Sequence, residues 1–149
     1  MAMDLAHWQK RLESHFRELS TNRRREAPDR QIFGLEHGLD ASEVQALSAA
    51  LRTIIAVGPP LFEQALLWVV YAAEIGYRYS GDEYWQTFEQ ETPGWIVNGD
   101  RNYIRRSYRW FQKEFYGVVP SGTWANHFSI ICWPITHAIL PRDLQRQLA

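Results

Sequence analysis

Arg101, Arg105, Arg106, Arg109 and Lys113 are the side chains whose type and spacing come nearest to a chemical purpose, because they recur along one stretch that reads as a helix. Cations at helical steps can grip successive phosphates, and Trp110, Tyr108 or Trp95 would offer planes on which exposed bases stack. The same spacing also describes a solvated face opposite an apolar stripe, or a dock for an acidic protein surface. The chain's formal net charge of −1 gives such a patch little long-range help with a polyanion. A solvated face is therefore the plainer expectation, and nucleic-acid contact the functional alternative.

Other constellations fall short of a site. Arg23, Arg24 and Arg25 form a basic run that is too short, and too close to Glu26 and Asp29, to read as a polyanion-binding tail. His127, Cys132 and His137 are ligand types, but spacings of five and ten do not place them on one helix face as a metal pair requires. The thiol of Cys132, beside Ile130, Ile131 and Trp133, would be kept protonated by apolar surroundings. Asp82, Glu83, Glu89 and Glu91 bracket a short aromatic segment, where two carboxylates in a cleft could act as acid and base. Their positions are explained as readily by helix-end preference and exposure. The sequence contains no phosphate-binding glycine loop, nucleophile elbow or paired-cysteine motif, so no catalytic residue, metal or cofactor is expected.

The elements that must carry these residues are helical. Leu5, Trp8, Leu12, Phe16 and Leu19 share one face of a first helix, and residues 20–31, with three arginines and Pro28, read as a flexible connector. Asp40 and Glu43 have capping-box spacing and open a helix with Val44, Leu47, Leu51, Ile54 and Ile55 inward, stopped by Gly58-Pro59-Pro60. Residues 61–77 are apolar on nearly every side and belong at the centre of the domain. Ser80-Gly81-Asp82 ends one helix and caps a short one with Tyr84, Trp85 and Phe88, which stops at Thr92-Pro93-Gly94. Asp100 caps the arginine helix, whose other face holds Tyr103, Ile104, Tyr108, Phe111 and Phe115. Residues 124–140 form a second central segment kinked at Pro134, and Pro141 starts a last helix. The fold class is thus all-α, an irregular bundle of about six or seven helices in a single domain over 1–149.

With 149 residues and seven each of Trp, Tyr and Phe, the chain can bury one large aromatic core. No secretory signal opens it, its lone cysteine suits a reducing compartment, and no apolar run approaches the ~20 residues of a membrane span. A cytoplasmic protein without membrane contact is expected.

The stretches GDEYWQTFEQETPGW from Gly81 and HFSIICWPITHAILPRDLQRQL from His127 resemble the helical N-terminal region of large bacterial proteins from mobile-element and phage-defence loci. The resemblance covers the back two-thirds of the chain and assigns no catalytic residue. It implies the company of ATPase or nuclease domains further along a longer protein. Leu144 and Leu148, spaced to continue a helix, agree with a domain that meets more chain or a partner at that end. The expectation is a non-catalytic recognition or docking module of a bacterial defence-type multidomain protein, working with a protein partner or attached C-terminal domains. The alternative is a sequence-independent nucleic-acid binder using the arginine helix.

Overall fold

A computed structural model describes residues 5–78 and 84–119. Among them are six α-helices and one 3-10 turn, so the all-α expectation holds. The helices are α1 (Leu5–Glu26), α2 (Ala41–Ile55), α3 (Ala65–Arg78), α4 (Tyr84–Glu91), α5 (Trp95–Asn98) and α6 (Arg101–Phe115), with the 3-10 turn at Phe62–Gln64 before α3. The expected kinked segment over 124–140, the helix starting at Pro141, and the glycine turn at 80–82 lie outside the described residues.

α3 occupies the centre. From Ala65 to Ala73 every side chain is buried, and the helix packs on α1, α2, α4 and, most extensively, α6. A helix apolar all round is stable only when wrapped in this way. Aromatic rings join the layers. Trp68 meets Tyr71 at 5.2 Å and Trp95 at 5.1 Å, Phe88 meets Tyr71 at 5.5 Å, and Phe16 of α1 stands edge-on to Phe111 of α6 at 5.1 Å. Buried ring hydroxyls end on backbone carbonyls: Tyr84 donates to Ala72 and Tyr108 to Val69, both on α3. Each apolar plane thereby keeps its polar tip satisfied.

Local signals explain the helix starts. Asp40 accepts from the Glu43 backbone N–H while Glu43 takes the Asp40 N–H, the reciprocal capping box that the spacing predicts. Those bonds hold both carboxyls below their ordinary range, Asp40 through the Glu43 N–H and Glu43 chiefly through its hydrogen bond from Arg11. Asp100 caps α6 by accepting from the Asn102 N–H.

The first link differs from expectation. Residues 20–26 are not connector but the last two turns of α1, and the chain leaves the helix only at Ala27. Arginine is a good helix former, and the end of the helix is held from outside. Arg23 reaches Glu36 at 2.5 Å and donates to the carbonyls of Arg30 and Gln31. The stretch that follows is also tied down. Ile32 makes a parallel bridge with Gly117, Tyr116 donates its hydroxyl to the Pro28 carbonyl, and Gly38 takes φ +75° over the His15 ring. No helix among the described residues is long and apolar enough to cross a membrane.

Candidate interaction surface

The five cations of α6 do not form one surface. Tyr103, Ile104, Tyr108, Phe111 and Phe115 face α3 and the core, which places Arg106, Arg109 and Lys113 on the exposed pole. Arg101 is turned aside: its Nε lies 3.1 Å from Glu89 and its guanidinium covers the Trp85 ring at 5.4 Å. Arg105 is half-buried and donates to Asn102 within its own helix. The stacking planes change as well. Trp95 and Tyr108 are fully enclosed by the core, so neither can receive a base, and Trp110 is half-buried in a T-shaped contact with Phe115. Cations from α1 come to the same end of α6, Arg17 over Phe115 at 4.8 Å and Arg24 over Tyr116 at 5.3 Å.

The acidic bracket resolves into partnered groups. Glu89 takes Arg101, and Glu91 takes Arg52 at 3.5 Å. Asp82, Glu83, His127, Cys132 and His137 lie outside the described residues, among which no cluster of three or more potential metal ligands occurs.

One polar pair escaped the sequence reading. His37, buried in the link before α2, places Nε2 2.7 Å from Glu74 of α3, and its Nδ1 accepts the Leu39 N–H at 2.9 Å. With Nδ1 accepting, the ring proton sits on Nε2 and is donated to the carboxylate. Both ring nitrogens are thus occupied in fixing the approach to the Asp40 cap. A histidine beside a carboxylate resembles acid–base machinery, but this one offers no lone pair to a substrate. The neighbouring groove, between α2 and Glu74, also has its charges engaged: Arg52 serves Glu91 and the Tyr71 hydroxyl.

The least expected feature is apolar. Val57, Leu61, Phe62, Ile96 and Val97 are 87%, 51%, 78%, 74% and 83% exposed. They come from two segments that meet at the end of α2. Val57 follows the α2 C-cap, and Gly58-Pro59-Pro60 carries the chain to Leu61 and Phe62. α5 abuts the same place: Asn98 donates to the Ile55 carbonyl at 2.7 Å, and Gly94 sits so close to Ala56 that a Cβ there would be 2.8 Å from its Cα. Trp95 and Asn98 point inward one turn apart, so Ile96 and Val97 must point out.

This face is rigid. The Leu61 N–H donates to Gln64 Oε1 at 3.0 Å, the Leu61 carbonyl receives the Tyr103 hydroxyl at 2.6 Å, and Gln9 of α1 donates to the Glu63 carbonyl. Burial pushes the Tyr103 phenol well above its usual pKa, so it remains a donor. Trp95 anchors α5 between Trp68 and Phe88, at 5.1 and 5.0 Å. Exposed charges lie near these residues: Glu63 follows Phe62, Asp100 follows α5, and Arg106 is one turn along α6 from Tyr103, whose hydroxyl meets Leu61. Leu61 and Phe62, expected at the start of the central helix over 61–77, instead lie before it, since α3 begins at Ala65 and the 3-10 turn at Phe62–Gln64 leaves both exposed. The signal was Gly58-Pro59-Pro60 just before them, as Pro93-Gly94 stands before Ile96-Val97.

The chain matches no protein-family model, no curated protein and no solved structure.

Proposed function

We propose that this domain is a non-catalytic recognition and docking module, and that it presents the Val57, Leu61, Phe62, Ile96 and Val97 face to a protein. The observation carrying this reading is the exposure of five large apolar side chains on backbone that is tied into a well-packed bundle. Together they expose on the order of 600 Å², the upper end of the largest apolar patch on a typical monomer, and patches of that size mark contact sites. The setting suggested by the resemblance of the Gly81 and His127 stretches is a large bacterial phage-defence protein, in which such a module would position attached domains.

The test compares the tagged chain with a Phe62→Glu/Val97→Glu form in cells that make it. Both positions are exposed, so the thermal midpoint should move little. A stoichiometric protein companion should be lost from the variant on purification. Equal companions on both forms, or, where no other protein is retained, equal self-association of both forms, would refute docking through this face. Reduced phage resistance in cells carrying the variant would speak for the defence setting, and unchanged plating efficiency against it.

A second reading rests on the exposed pole of α6. Arg106, Arg109 and Lys113, with Arg17 and Arg24 arriving from α1, would bind a nucleic-acid backbone without reading sequence. Replacing Arg106 and Arg109 by Ala should then flatten log affinity against log salt by roughly one to two units, whereas Arg101→Ala should not. Undetectable oligonucleotide binding at low salt would exclude this reading.

A further inference from the structure

We infer that the occupant of the apolar face is a second copy of this chain, joined through a two-fold axis; this rests on the docking reading and specifies its partner. Area is the first argument. Complete burial of the five residues on both copies would remove up to about 1,200 Å², which with the rim reaches the size of a stable specific interface. A two-fold contact must also complement itself. The rim meets that demand because it carries both signs: Glu63 and Asp100 are exposed acids, and Arg106 is an exposed cation with no ion-pair partner among the described residues. Across the axis the acids of one copy can face the Arg106 of the other, a charge arrangement that fixes register.

Two further properties favour self-association. A net charge of −1 leaves little mutual repulsion between copies. The face is also preorganised, since Leu61 is held by Gln64 and Tyr103 and α5 by Trp95 and Asn98, so docking orders few groups that were free before. Phe62, the largest exposed apolar side chain among the described residues and 78% open, has the properties of an anchor.

Sedimentation velocity on the full chain, from about 1 to 100 µM, is the first arm of the test. A concentration-dependent monomer–dimer equilibrium is expected, and Phe62→Glu and Ile96→Glu, one in each segment, should each raise its dissociation constant at least tenfold. Arg25→Glu, a fully outlying charge, should leave it unchanged. The second arm places benzoylphenylalanine at Val97 in the producing cell and identifies its adducts by mass spectrometry. Adducts between two copies are expected. A dimer indifferent to both apolar substitutions would overturn the inference. So would a monomer whose adducts join only another protein, although docking would then survive. Adducts confined within a single chain, residues 120–149 included, would overturn both.

Discussion

Gly99 and Trp95 give the sharpest check on how the exposed face is held. Gly99 has an ordinary negative φ of −96°, so any residue could adopt its backbone. Its constraint is steric: a Cβ there would lie 2.1, 2.4 and 2.5 Å from three indole carbons of Trp95. The indole cannot retreat, because Trp68 and Phe88 hold its other sides. Gly99→Ala should therefore cost about 2–3 kcal/mol, the upper part of the range for forcing a methyl into a packed core. For a domain of this length that lowers the thermal midpoint by roughly 5–10 °C. Trp95→Ala alone should cost about 3–5 kcal/mol. In the double variant the new methyl enters the space left by the indole. Its cost should therefore be close to that of Trp95→Ala alone, with a coupling of roughly 2 kcal/mol. Urea unfolding of the four proteins measures the cycle. Additive costs, or a Gly99→Ala effect of only a few tenths, would mean that Trp95 moves freely and would refute the account of α5 as a fixed element.

Other perturbations should separate embedded from superficial polar contacts. His37→Ala leaves the half-buried Glu74 without its donor and should cost about 2–3 kcal/mol in urea unfolding, whereas Arg25→Ala, which loses a pair some 70% exposed on both sides, should cost under about 0.5 kcal/mol; similar values would contradict the role given to His37. The capping box should be visible in acid. Asp40 and Glu43 have carboxyls depressed below their unfolded values of 3.8 and 4.5, so their contribution is present above those values and is lost as pH falls through them toward the lower folded ones. Thermal midpoints of Asp40→Asn/Glu43→Gln should accordingly fall less steeply than wild type below pH 4.5, and parallel profiles would show that the box does not couple to folding.

The helices were legible where one physical signal dominated. The all-round apolar run at 65–73, the reciprocal Asp40 and Glu43 pair and the stripe from Tyr103 to Phe115 each admit one structural solution, and the fold adopts it. The reading failed where tertiary partners decide. Arg23 looked like part of a flexible run because its helical state depends on Glu36 and on carbonyls seven and eight residues away. Periodicity along α6 treats Arg101 and Arg109 alike. Only the arrival of Glu89 and Trp85 beside Arg101 distinguishes the engaged cation from the solvated one. Trp95 and Tyr108 were open to a stacking role because a ring reads the same in sequence whether it faces water or Trp68. The exposed apolar face follows from two different causes: Leu61 and Phe62 continue the apolar run of α3 in sequence although the helix starts only at Ala65, and Ile96 and Val97 lie in a single turn too short for a period to mark an outward side.

The bridge between Ile32 and Gly117 has a consequence for how the bundle forms and opens. The helices also meet over long separations, as Phe16 does with Phe111, but they bury large rings when they do; this clip, with Gln31 also donating to Gly117, joins positions 86 residues apart and adds only a few hydrogen bonds to helices already packed. Such a contact must wait until α2, α3 and α6 have brought its two ends together, since closing so long a loop yields only a few hydrogen bonds in return. It therefore belongs to the last stage of folding and the first of unfolding. Weakening it would leave the folding rate nearly untouched while shortening the lifetime of the native state. The clip acts as a latch on persistence rather than a nucleus.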